Sequence, residues 1–466
     1  MNKDASLTEE ERFPLLTEGG RQLLHWMWEH PQAPRFNFPC GDRITLEGLE
    51  RLRAYETELH SAKPGWAEGE QPGWLKHFVE TCLQDVPFYR RRGGSAIDFY
   101  SLPTCQRSDL DREPWSFVPD SQPLDDLIVY TTSGTTGQPL RVLSHPVVAS
   151  KYLPALRFAL SKFGVTLEGG EGNVSIVTVC AQANTYTYAT VSSFLEGAGY
   201  LKVNLNPNEW HDPNDRVPFL DDCNPEIYTG DPLAFVALSQ LPLKTQPKAL
   251  VSSAMTLLPG LQKELEDHFH CPVIDIYSMN ESRLIAVRVE QSYHLIPHDL
   301  FIEILDPEGL PCAPGVRGEI VLTGGRNPFL PLLRYRTGDY AALEYVDQSP
   351  LLTNFEGRPP IFFLSNEGKI ICSLDVSKAF QHLAIAQFSL HQNPDLSLLF
   401  SSHISDLLQR QVSDALQSVF GHGIRITFQQ LSPTIEKGNK VIQYTSDIEP
   451  TNISQVEINY LSTSTS

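Results

Sequence analysis

The sequence predicts a layered α/β protein with a β-rich, barrel-like closing part and a small α+β domain at its C-terminal end. Three features predict it. Apolar, β-branched runs at Val174 to Val179, Glu226 to Thr229 and Val273 to Tyr277 alternate with helical segments such as Leu261 to Phe269, the texture of buried strands joined by crossover helices. After about residue 285 strand follows strand, at Leu284 to Glu290, Leu300 to Leu305 and Gly318 to Leu322, with turns such as Asp306-Pro307-Glu308-Gly309 between them. Finally, Gly357-Arg358-Pro359-Pro360 breaks the chain ahead of roughly a hundred residues, a common domain size.

Taken in order, residues 1–20 are polar and loose. Leu23 to Trp28 and Leu46 to Leu59 carry apolar residues at helical spacing. Trp74 to Phe88 reads as a further helix, running into Val86-Pro87-Phe88-Tyr89-Arg90. Beyond the break, Asp375 to Leu383 and Ile404 to Phe420 read as helices, with strands near 386–390, 396–400 and 424–428. The last twenty or so residues, rich in Ser, Thr and Asn, read as frayed. The division is therefore 1–95, an N-terminal helical region of the large domain; 96–356, its core; and 357–466, the small domain with its tail.

Composition narrows the partners. With 36 basic against 56 acidic residues the formal charge is -20, which repels nucleic acid and anionic membrane but not a small anion held by local N–H groups. No apolar run approaches the roughly 18–20 residues that span a bilayer, and the first residues lack a signal peptide's pattern, so a cytoplasmic protein is expected. The eight cysteines are scattered without a CxxC pair, which argues for reduced, structural thiols.

Chemistry concentrates in a few segments. Tyr130-Thr131-Thr132-Ser133-Gly134-Thr135-Thr136-Gly137-Gln138-Pro139 follows a short apolar run and packs hydroxyls and glycines together. Glycine admits backbone angles that let successive N–H groups converge on an anion. No Gly-Lys-[Ser/Thr] follows, so this is not a Walker loop, and the same composition also suits a plain connector. Downstream come Ile276-Tyr277-Ser278-Met279-Asn280-Glu281 at a strand end, and Arg334-Tyr335-Arg336-Thr337-Gly338-Asp339, read as ending in a turn with an exposed carboxylate. Phe355-Glu356-Gly357-Arg358 marks the break and Lys437-Gly438-Asn439-Lys440 lies in the small domain.

In that order these segments resemble the core motifs of the adenylate-forming superfamily: acyl-CoA synthetases, nonribosomal adenylation domains and luciferase. Val86 to Arg90, Asn184-Thr185-Tyr186-Thr187-Tyr188 and Asn224 to Pro232 resemble the phenylacetate-CoA ligase branch, and the likeness runs from about 80 to 445. It implies a two-domain fold and ATP-dependent activation of a carboxylic acid, aryl or arylacetic by preference. The acyl-adenylate would then pass to coenzyme A, or to the phosphopantetheine of a carrier protein acting in trans. It also implies roles. Ser133, Gly134, Thr135, Thr136 and Gly137 would hold the ATP phosphates, Tyr277 and Asn280 the nucleotide, and Asp339 the ribose hydroxyls. Glu281 would hold Mg²⁺, Arg358 and Lys440 would act on phosphate and substrate carboxylate, and Tyr186 and Tyr188 would line the acyl pocket. Each has an ordinary alternative: a turn cap for Asp339, a solvated charge for Glu281, Arg358 or Lys440, core packing for the tyrosines. A non-catalytic ATP- or acyl-binding relative, or nucleotidyl transfer to another acceptor, are the competing readings.

The chain departs from that pattern in places. Ser278 and Asn280 replace a usual glycine and threonine, and Met255 stands where relatives carry a glutamate. Val289 to His294 holds no cysteine, so the zinc of some relatives is not expected. At the hinge, Pro359-Pro360 follows Gly357-Arg358 where relatives carry an acidic pivot, stiffening the backbone and removing donors.

Overall fold

A computed structural model describes residues 7–62, 65–95, 98–131, 140–431 and 441–448. Five helices come first: α1 (Glu9–Arg12), α2 (Glu18–Glu29), α3 (Leu46–Ser61), α4 (Leu75–Asp85) and α5 (Pro87–Arg92). Thr17 and Thr45 cap α2 and α3, accepting from the N–H groups of Gly20 and Gly48 that the first helical turn leaves free. The single helix expected from Trp74 to Phe88 is broken at Val86. Pro87 has no N–H to extend α4, and instead takes the first position of α5, where none is needed.

Strand β1 (Cys105–Gln106), helix α6 (Arg107–Arg112) and the antiparallel pair β2 (Ile128–Thr131) and β3 (Arg141–Ser144) follow. Helices α7 (Pro146–Ser150) and α8 (Tyr152–Ser161) lead to β4 (Val174–Cys180), β5 (Tyr188–Ser192) and β6 (Ala198–Asn204). Then strands and helices alternate: α9 (Arg216–Cys223), β7 (Ile227–Gly230), α10 (Pro232–Ser239), β8 (Ala249–Ser252), α11 (Pro259–Phe269), β9 (Val273–Met279). β6, β4, β7, β8 and β9 lie side by side in parallel. Val177, Tyr228 and Leu250 pack with α2, α9, α10 and α11, while Ile176, Ile227 and Val251 pack with α3 and α8. Helices on both faces are why these strands read as largely apolar runs.

Past β9 the sheet turns antiparallel through β10 (Arg283–Val289), β11 (Ser292–Leu295), β12 (Leu300–Leu305), β13 (Arg317–Gly324), β14 (Leu332–Val346) and β15 (Ser349–Glu356), in the spatial order β9-β10-β11-β15-β14-β13-β12. β1 joins β14 in parallel, Cys105 opposite Tyr335. Beside it the buried Tyr89 hydroxyl donates to the Pro331 carbonyl and accepts from the Leu333 N–H, both at 3.0 Å. The N-terminal region is thus fastened to the strand that carries Asp339.

The small domain comprises β16 (Phe362–Leu364), β17 (Ile370–Cys372), α12 (Ser373–Ala379), β18 (Phe388–Gln392), β19 (Leu398–Ser402), α13 (Asp406–Phe420), β20 (Ile426–Gln429) and β21 (Tyr444–Ser446). Its sheet runs β20-β19-β18-β21, over a separate core that includes Phe363, Val376, Phe380, Phe400 and Leu416. The strands lie about two residues later than expected. The helix expected from Asp375 starts at Ser373, because Asp375 accepts from the Cys372 N–H and so caps an earlier turn. The small domain meets the large one at the start of α11, where the Gly260 N–H donates to the Gln381 carbonyl at 2.7 Å and Leu258 enters the small domain's core. A Cβ on Gly260 would lie 2.5 Å from the His382 carbonyl carbon, so only glycine fits this approach. No helix among the described residues is long and apolar enough to cross a membrane.

Candidate active site

The turn between β9 and β10 carries Asn280, Glu281 and Ser282. Asn280 is exposed at its tip, whereas Glu281 is only 5% exposed. The Tyr335 hydroxyl of β14 donates to Glu281 Oε1 at 3.1 Å, and the Arg107 guanidinium lies 3.8 Å from the same oxygen. Arg326 braces the turn by donating to the carbonyls of Ser282 and Leu284, and is itself paired with Asp299 at 2.7 Å. Hard carboxylate oxygen beside a braced loop is a donor type that suits Mg²⁺.

Asp339 does not sit in an exposed turn as the sequence suggested. It lies in the middle of the fifteen-residue β14, half-buried. Between the pairs Val321–Arg336 and Glu319–Tyr340 the register shifts, and Thr337-Gly338-Asp339 bulge from the ladder. Gly338 takes a φ of +79°, and its N–H donates to Glu319 Oε1 at 3.0 Å. Only a residue without Cβ adopts that angle cheaply, so the glycine is what lets the strand bulge here. Thr337 closes the bulge by donating to the Ile320 carbonyl and accepting from the Asp339 N–H.

The Tyr277 hydroxyl donates to Asp339 Oδ2 at 2.8 Å, joining two motifs 62 residues apart. Tyr277 is 6% exposed, with its ring against Phe355 at 4.6 Å, so the ring packs mainly in the core. Burial lifts the Asp339 carboxyl from 3.8 to about 6. The Tyr277 hydrogen bond opposes the rise, the nearby charge of Glu281 adds to it, Arg358 opposes it and Glu319 adds to it. Arg358 is therefore at the site electrostatically, although it lies beyond the end of β15.

β2 and β3 pair Thr131 with Arg141, which draws together the ends of the segment between them. Arg283, two residues past Glu281, places its guanidinium 4.7 Å over the Tyr130 ring and bonds Ser144 at 3.4 Å. The ends of the hydroxyl-rich loop are thus held beside the Glu281 turn. Ser133, Gly134, Thr135, Thr136 and Gly137 themselves, and Lys440, lie outside the described residues.

Tyr186 and Tyr188 are brought to one cluster with Phe38, at 5.3 and 6.4 Å between ring centres. Tyr186 remains 61% exposed; Tyr188 stands 6.3 Å from Tyr200, and burial raises both the Tyr188 and Tyr200 hydroxyls above their ordinary range. Tyr200 lies 3.4 Å from the Thr178 hydroxyl, which in turn meets Thr229 at 2.7 Å. Thr178 and Thr229 stand near the carboxyl ends of β4 and β7, on either side of the point where the connections diverge, and open α/β sheets bind ligands at such points. Burial raises thiols such as Cys180, to about 11, which disfavours the reactive thiolate.

Tyr335, Glu319, Arg107 and Arg326 escaped the sequence reading. Tyr335 and Glu319 were within reach: read as a strand rather than a turn, Arg334 to Asp339 would have demanded partners for its alternating polar side chains.

No family profile matches the chain. It is 24% identical over 327 residues to phenylacetate-coenzyme A ligase of Thermus thermophilus, covering 62% of this chain and 69% of that protein. Against phenylacetate-coenzyme A ligase of Escherichia coli it is 22% identical over 330 residues, covering 65% and 69%. Among solved structures, 2-hydroxyisobutyryl-CoA ligase in the postadenylation state, in complex with 2-HIB-AMP, superposes with a TM-score of 0.57 at 17% identity, covering 92% of this chain and 95% of that one. Its open conformation with 2-HIB-AMP and CoA gives 0.51, covering 89% and 95%. A large α/β domain followed by a small α+β domain is thus the architecture of AMP-forming, adenylate-forming ligases. In sequence the chain is phenylacetate-CoA ligase-like.

Proposed function

We propose that the protein joins a carboxylic acid to a thiol in two steps at the expense of ATP. In the first, a carboxylate oxygen attacks the α-phosphorus and the bond to pyrophosphate breaks, leaving an acyl-adenylate. In the second, the coenzyme A sulfur attacks the acyl carbon, AMP departs and the thiol proton passes to solvent. Such in-line displacement needs positioning and neutralised charge more than covalent help. The observation that carries the reading is the Tyr277–Asp339 hydrogen bond, which sets a half-buried carboxylate beside Glu281 and the ends of the 132–139 segment.

In this reading Asp339 accepts from the ribose hydroxyls and Tyr277 orients it. Ser133, Thr135, Thr136 and the N–H groups near Gly134 and Gly137 hold phosphate; Asn280 borders the nucleotide. Glu281 holds Mg²⁺, which when bound neutralises phosphate charge, and Tyr335 fixes the carboxylate. Arg358 approaches from the hinge and Lys440 from the small domain. The aromatic cluster of Phe38, Tyr188 and Tyr200 favours an aryl or arylacetic acid, and we place the enzyme in the cytoplasm. ATP–pyrophosphate exchange over a panel of aryl, fatty and amino acids, without thiol, tests the first step. Exchange with an aryl acid is expected; none in folded, ATP-binding protein refutes the reading. Adding coenzyme A then tests the second step, and failure there alone points to a carrier-bound thiol.

A further inference from the structure

Besides the Gly260–Gln381 hydrogen bond and Leu258, two further connections cross the joint between the domains. One is covalent, Gly357-Arg358-Pro359-Pro360. The other is a side chain. β15 ends on Glu356, whose Oε2 accepts from Arg317 of β13 at 2.6 Å and from the Ser373 hydroxyl at 3.2 Å, while Oε1 accepts from the Ser377 hydroxyl at 3.4 Å. Ser373 and Ser377 are one turn apart on α12, so both hydroxyls reach the same carboxylate. Arg317 is 5% exposed with its guanidinium 5.8 Å from the Tyr340 ring, and the Tyr444 hydroxyl meets Ser377 at 2.8 Å. One end of this chain of contacts belongs to the large sheet and the other to the small domain's core.

The prolines fix their own φ, so a turn of one domain against the other falls mainly on Gly357 and Arg358. Such a turn would carry Ser373 and Ser377 away from a carboxylate that stays with Arg317. We propose that Glu356 is a positioning residue, a strut that holds the small domain docked on the large one, and that its release from Ser373 and Ser377 frees the domain to turn. The docking is read from contacts alone. Its catalytic consequence, a control on passage between the two half-reactions, rests on the function proposed above.

Hydrogen exchange of the full-length chain tests the strut without substrate. The Gly260 N–H, bonded to the Gln381 carbonyl across the joint, is the reporter. In Glu356→Ala and in the double variant Ser373→Ala/Ser377→Ala, the peptide containing Gly260 is expected to exchange at least tenfold faster, with β4, β7 and β8 unchanged. Wild-type exchange at Gly260 overturns the proposal, and so does acceleration spread evenly over the large core. Should Glu356→Ala unfold the chain, the double serine variant decides, since it keeps the Arg317–Glu356 pair. The ratio of adenylation to thioester formation in the same variants should shift severalfold; an unchanged ratio beside faster exchange overturns only the catalytic consequence.

Discussion

Replacing Asp339 by Asn should stabilise the protein while weakening its hold on ATP. The native carboxyl titrates at about 6 instead of 3.8. The folded state therefore binds the proton more tightly than the unfolded one, and stability falls as pH rises from about 4 to 6 and stays reduced above. At about 1.4 kcal/mol per tenfold in proton affinity, the charged group costs the fold about 3 kcal/mol at pH 7.5. Asn removes that cost, in which the stronger Tyr277 bond to the charged form is already counted, and can still accept from the Tyr277 hydroxyl. The net expectation is a gain of about 3 kcal/mol at pH 7.5, shrinking as pH is lowered to 5. Urea denaturation at the two pH values measures it. Calorimetric titration of ATP should show affinity down by about ten- to a hundredfold, the worth of charge-assisted bonds to two hydroxyls. A stability difference independent of pH would refute the electrostatic reasoning, and unchanged ATP affinity would refute the ribose role.

Arg334→Ala should cost about 3–5 kcal/mol in chemical denaturation, because it strands the buried Glu303 and abandons the carbonyls of Tyr100 and Leu102. Lys440→Ala should abolish pyrophosphate exchange yet keep thioester formation from supplied acyl-adenylate; equal loss in both assays would remove its assigned role. Tyr188→Ala should raise KM for the acid far more than Tyr186→Ala, since Tyr186 is largely exposed. Steady-state kinetics giving the two variants the same KM would argue against the pocket assignment.

The layered fold was legible because buried parallel strands announce themselves: Val174 to Val179 is apolar on both faces since helices cover both. The position of Asp339 was not. Thr-Gly-Asp has the composition of a turn, and a bulge within a long strand uses the same residues for the same reason, a positive φ. Only the pairing of β13 with β14, set by residues some fifteen positions upstream, distinguishes them. Tyr277 was ambiguous for a related cause. A tyrosine at a strand end suits a ligand face or a core equally, and Phe355, 78 positions later, decides. The break at Pro359 was visible, but the carboxylate that spans it needed Arg317 and α12 to be seen together.

The fastening of Tyr89 to Pro331 and Leu333 bears on how the chain is made. The hydroxyl and the N–H it meets are 244 residues apart. At about 5–20 residues per second of synthesis, α5 emerges some 12 to 50 seconds before its seat exists. Throughout that interval Phe88, Tyr89 and Phe117, all buried in the finished protein, have one another but not the strand they serve. The nascent chain must therefore carry a sticky aromatic knot through about half of translation. Its yield in a cell should depend on elongation speed and on holdase chaperones more than the stability of the folded enzyme would suggest.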